Sequence, residues 1–109
     1  MRKLATFAVA IICFVDLSSC SITSFAPPPV TVELTRAGAR QHADIVTLRK
    51  GRELFVHRCI ECHTLPPLWH YRSEEWPGIV NSMSHRASLK PAERDAVIAY
   101  ILAVRFAEH

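Results

Sequence analysis

The chemistry of this 109-residue chain is concentrated in Cys59-Ile60-Glu61-Cys62-His63. Two thiols three residues apart can reach the two vinyl groups on one edge of a porphyrin and form thioether bonds. The histidine that follows is then held under the ring, where its imidazole can ligate iron. C-x-x-C-H is the attachment signature of a c-type haem. Other chemistries use a C-x-x-C pair. A structural zinc site needs a second pair of ligands at finger spacing. No second Cys pair follows here, and His70 and His85 fit no usual finger spacing. A thiol–disulfide oxidoreductase working through Cys59 and Cys62 would place them after a strand in a βαβ unit, and no such pattern is present. A structural disulfide or a pair of inert buried thiols is the remaining alternative.

The motif must be presented by the elements around it, and the N-terminal segment fixes where. Residues 1–19 read as a signal peptide: Arg2 and Lys3 form a positive start, and Leu4 to Val15 is an apolar run too short to span a bilayer comfortably. Leu17-Ser18-Ser19-Cys20 resembles a bacterial lipoprotein signal, in which the Cys is acylated and becomes the mature N-terminus. Asp16 departs from that pattern. An ordinary secretory peptide or an uncleaved anchor is the alternative. Acyl chains on Cys20 would anchor the chain firmly, since two lipid signals suffice. Cys13 leaves with the signal, Cys20 takes lipid, and Cys59 and Cys62 take haem, so none is left for a disulfide. Bacterial c-type haem is attached outside the cytoplasmic membrane, which agrees with export to the periplasmic side.

The length allows one small domain. The formal charge of +3 falls to +2 once Arg2, Lys3 and Asp16 are removed, and the remaining Lys and Arg are scattered. Nucleic acid is not an expected partner.

Residues 20–43 read as a tether and a short helix. Pro27-Pro28-Pro29 favours an extended polyproline spacer, with disorder as the alternative. Thr31 caps a helix to about Gln41, with Leu34 and Ala37 inward and Gly38 as a weak point. The main domain is placed at 44–109. Asp44 caps its first helix, with Val46, Leu48, Leu54 and Phe55 leading into Cys59. Gly51, in its middle, marks either a close crossing with the last helix or a tolerated surface glycine. Pro66 and Pro67 force an extended loop. Leu65, Leu68, Trp69 and Tyr71 in that loop would line a haem edge or pack a small core. A third helix is expected from Ser73, as its cap, to about His85, with Trp76, Ile79, Val80 and Met83 on one face. Pro91 opens the last helix, whose apolar face is Val97, Ile98, Ile101, Leu102 and Val104, with Tyr100 on the boundary. The expected fold is all-α: three to four short helices around one covalently bound haem. A core this small is marginal, so the chain without its macrocycle is expected to fold poorly.

From about Asp44 to Ala107 the chain resembles the small monohaem cytochrome c domains of bacteria. The matching residues are Gly51-x-x-Leu54-Phe55 before the haem motif, the proline-bearing loop, Trp76-Pro77-x-x-Val80-x-x-Met83, and Ile98-Ala99-Tyr100-Ile101-Leu102 in the last helix. The resemblance implies a cytochrome c fold whose first and last helices cross near Gly51 and Tyr100. It implies haem thioethers at Cys59 and Cys62, His63 as the proximal iron ligand and Met83 as the distal one. Pro66 or Pro67 would lie beside the proximal imidazole, where a backbone carbonyl commonly orients it. Met83 is the one Met outside the leader. A Met on an apolar helix face is otherwise a core residue, and His85 and then His70 are rival ligands. The implied role is one-electron transfer rather than catalysis, with redox proteins as partners; service to one periplasmic dehydrogenase is one form of it. An iron with an open sixth site would instead make a haem-based sensor or gas binder.

Overall fold

The computed structural model describes residues 26–59 and 66–108. Among these residues there are four helices and no strand. They are α1 (Val32–Ala39), α2 (Ile45–Arg58), α3 (Trp76–Ser84) and α4 (Pro91–Ala107), with a 3₁₀ turn at Leu68–His70.

The helix starts follow the expected chemistry, with one exception. The Thr31 hydroxyl accepts from the Leu34 N–H at 3.2 Å, and the Asp44 carboxylate accepts from the Thr47 N–H at 2.7 Å. Each satisfies a first-turn donor that has no helical partner. Pro91 is the first residue of α4, where its missing N–H costs nothing, and the Glu93 carboxylate reaches back to the Lys90 N–H at 3.0 Å. The exception is α3, which begins at Trp76 rather than after Ser73. Residues 73–75 form a turn. The N-cap residue of α3 is Glu75, whose carboxylate caps no helix N–H but accepts from the Arg72 N–H of the preceding turn at 2.8 Å. That bond and the Arg72 charge hold the Glu75 carboxyl below its usual range.

The core lies where α2, α3 and α4 meet. Trp76, Tyr100, Leu48, Ile101 and Val97 are its largest fully buried side chains. Each stabilises the fold by about 1.5–3 kcal/mol through burial, so the crossing and the Trp76 corner carry most of a small core. Gly51 is the crossing point. A Cβ there would collide with the Ala96 carbonyl and lie 2.9 Å from the Tyr100 Cβ. Gly38 plays the same part for α1: its Cβ would lie 2.6 Å from Leu48 Cδ1. The feature that weakened the reading of α1 as a helix is therefore its contact point.

Two expected orientations are corrected. Val46 is 69% exposed, because it lies about 200° around the helix from the buried Leu48. Tyr100 is not on a boundary; it is fully buried, with its ring 6.2 Å from that of Phe55.

The proline segment is bound to the helices. Arg52 Nη2 donates to the Pro27 carbonyl at 3.0 Å, Arg52 Nε donates to the Pro28 carbonyl at 3.0 Å, and the Tyr100 hydroxyl donates to the Pro28 carbonyl at 2.6 Å. Leu34 of α1 belongs to the same core as α2 and α4. From Pro27 onward, the stretch read as a spacer packs with the helices.

Candidate functional site

α2 positions the first thiol. Leu48, Gly51 and Phe55 are buried along one stripe of the helix, and Cys59, one turn further, is half-buried against the core. The spacing of three and then four residues keeps these positions on one face. Cys59 therefore stands at the edge of the apolar interior. Cys62 and His63 lie outside the described residues, as do Leu65 and Cys20.

The chain is described again from Pro66, and here the apolar loop divides. Leu68 is buried, whereas Trp69 is 59% exposed. The Leu68 carbonyl accepts the Trp76 indole N–H at 3.0 Å. Tyr71 meets the same indole edge-on, with ring centroids 5.3 Å apart at 90°, an arrangement favoured by the ring quadrupoles. His70 packs edge-on against Tyr71 at 4.7 Å. Leu68 and Tyr71 are thus used to seat Trp76, while Trp69 is left on the surface.

α3 positions the thioether. Trp76 and Val80 are buried, Ile79 is half-buried, and Met83, one turn beyond Val80, is also half-buried. The two rival ligands, His85 and His70, are both exposed. Ala87 to Leu89 close α3: the Leu89 N–H donates to the Ser84 carbonyl at 2.9 Å, and Ser88 adopts φ 53°.

No charged side chain is buried among the described residues. The Lys50–Glu53 and Arg72–Glu75 pairs are solvent-exposed and contribute little. The buried side chains of α3, Trp76 and Val80, are therefore apolar. Among the described residues no group of three or more His, Cys, Asp or Glu could hold a metal ion. No helix among them is long and apolar enough to cross a membrane.

Two features escaped the sequence reading. One is the bond from Trp76 to Leu68. The other is the clamp formed on the prolines by Arg52 and Tyr100. A polyproline run has free carbonyls by construction, and a tyrosine on an apolar helix needs a partner for its hydroxyl. Those two facts were the available signal for the clamp.

No protein-family model matches the chain, and no solved structure does. Over 73 residues the chain is 33% identical to the cytochrome c-type protein TorY of Haemophilus influenzae. The aligned region covers 66% of this chain and 20% of that protein, so the chain spans about a fifth of the length of the curated relative it matches. The helical architecture and this likeness agree: the chain has an all-α, cytochrome c-like fold.

Proposed function

We propose that the chain is a one-electron carrier holding one covalent haem c, with thioethers to Cys59 and Cys62, His63 as proximal ligand and Met83 as distal ligand. The observation that carries this reading is the pairing of a C-x-x-C-H motif with a helix whose one free thioether is not consumed by the core. On α3 the buried positions are Trp76 and Val80, and Met83 stays half-buried. The likeness to a protein named cytochrome c-type supports the same reading.

The residues present fit the group. A porphyrin is largely apolar; Cys59 packs against the apolar core, the buried side chains of α3 are Trp76 and Val80, and no charged residue is buried among the described residues. The Trp76 indole N–H is already satisfied by the Leu68 carbonyl, so it leaves no unpaired donor facing the interior.

A bound haem supplies ferric–ferrous chemistry at its iron. His63 and the Met83 sulfur would hold the iron, a ligand pair that favours a higher reduction potential than two histidines. If both side chains bound the iron, the metal would have no position left for a substrate. Leu68, Trp76 and Val80 exclude water from the interior beside α3. Redox proteins are the expected partners. Residues 1–19 act as the export signal, and lipid on Cys20 tethers the domain at the periplasmic side of a bacterial membrane.

The test is the optical spectrum of the full chain produced with haem-attachment machinery, oxidised and dithionite-reduced. The expected result is low-spin haem that survives denaturation, with a weak red band in the oxidised form that vanishes in Met83→Ala. Low-spin haem whose spectrum is unchanged by Met83→Ala would move the distal ligand to His85 or His70. A high-spin, five-coordinate spectrum would replace electron transfer with gas binding. No bound haem would overturn the reading.

A further inference from the structure

We infer that the proline strap Ala26–Pro28 is a positioning element for the segment that leaves the haem motif, held in place by Arg52 and Tyr100. This inference rests on the haem-carrier reading above.

The strap is fixed at the helix crossing. Arg52 follows Gly51, the point where α2 touches α4, and Tyr100 lies opposite that glycine. From these two residues four hydrogen bonds reach two consecutive carbonyls. Arg52 Nη2 donates to Pro27 at 3.0 Å, Arg52 Nε donates to Pro27 at 3.3 Å and to Pro28 at 3.0 Å, and the Tyr100 hydroxyl donates to Pro28 at 2.6 Å. A polyproline segment makes no internal hydrogen bonds, so its carbonyls accept from outside, and its stiffness lowers the entropy lost on binding. Arg52 thus commits its guanidinium to neutral carbonyls.

The other side of the strap faces the stretch that follows the haem motif. Ala26, Pro27 and Pro28 line one small, mainly apolar cavity together with Pro66, Leu68 and Val104, with Glu108 at its edge. Pro66 is the third residue after His63, and Leu68 carries the bond from Trp76. The strap therefore faces the backbone at Pro66 and Leu68, the described start of the stretch that leads to the Trp76 corner. Covering that backbone keeps water away and limits its movement. Loss of the strap would raise the polarity around Pro66 and Leu68, three and five residues after His63 in the sequence. A more polar surrounding favours the more highly charged ferric state, so the reduction potential would fall.

The test uses the full-length haem-loaded protein. The double variant Tyr100→Phe with Arg52→Ala is compared with wild type and with Asp44→Ala, which weakens the N-terminal end of α2 instead. In the double variant, the Trp76 indole N–H, bonded to the Leu68 carbonyl that faces the strap, is expected to exchange severalfold faster, because local opening becomes easier when the strap is released. Its midpoint potential is expected to fall while the haem stays low-spin. Tyr100→Phe alone, which keeps the ring on Phe55, shifts both readouts the same way by less. The inference is overturned if exchange rises and the potential does not move, or if Asp44→Ala moves it equally. A wild-type chain that takes up no haem overturns the carrier reading itself, and the spectrum shows that before any variant is made.

Discussion

The crossing of α2 with α4 and the stretch from Pro66 to Trp76 are held by different physics. At the crossing the decisive feature is shape. Gly51 lets the Ala96 carbonyl and the Tyr100 side chain approach α2 at a distance no other residue would permit. In the stretch after the motif the decisive features are directional. The Trp76 indole donates to Leu68, Glu75 accepts from Arg72, and Tyr71 meets Trp76 edge-on. A close crossing fails abruptly when one methyl is added. A set of separate bonds weakens one bond at a time.

The sharpest way to break this comparison is Gly51→Ala. The new Cβ would overlap backbone, not a movable side chain, so relief requires the helices to part. Overpacking of this kind costs about 3 kcal/mol or more, a large share of the stability of a domain this small. Denaturant unfolding of the haem-loaded protein should show it as a large drop in midpoint. A change below about 1 kcal/mol would mean that the crossing has slack.

The stretch after the motif is tested by its two tryptophans. Trp76→Phe removes volume from the core and leaves the buried Leu68 carbonyl without its donor, a loss of roughly 2 kcal/mol. Trp69→Ala, at a position 59% exposed, should change stability by less than about 0.5 kcal/mol. Equal losses would contradict the division of the loop into a seated and a surface half.

The same contrast explains what the sequence discloses. Period and spacing identified α2 and α4, the caps at Thr31 and Asp44, and the approach at Gly51, because each is a local rule or a stripe on one helix. Period could not separate Trp69 from Trp76 or find the start of α3, since those depend on bonds between residues three to eight apart in an irregular segment. The clamp on the prolines lies further still from any pattern, for Tyr100 and Pro28 are 72 residues apart. At the candidate site, residue type suggested the roles proposed for Cys59 and Met83, whereas their half-burial comes only from the packing of α2 and α3.

Tyr100 links the two regions, and pH addresses it directly. Burial pushes its phenol up to about 12, against some opposition from Arg52. A raised value means that the folded state holds the proton more tightly than the unfolded chain. The stability contributed is complete below pH 10, the ordinary value, and is lost as pH rises through about 12. The loss is on the order of 1 kcal/mol. Tyr100→Phe should flatten this part of the alkaline stability curve, and an unchanged slope would show that another group titrates there.

The smallest effects concern the backbone, and they ask whether the two regions differ in every respect or only in how they pack. α1 ends beside the crossing and α3 ends beside the site, yet both close in the same way. His42 and Ser88 each adopt φ 53°. The next amide then donates five residues back, Ala43 to Gly38 at 3.0 Å and Leu89 to Ser84 at 2.9 Å. The left-handed conformation costs a non-glycine residue roughly 1–2 kcal/mol, and glycine removes that cost while losing some of the gain to its freer unfolded chain. His42→Gly and Ser88→Gly should therefore each stabilise the protein by about 0.5 kcal/mol, and by equal amounts. Equality would confine the difference between the regions to side-chain packing and bonding. A gain at His42 with a loss at Ser88 would place a further role on the Ser88 side chain, next to the helix that carries Met83.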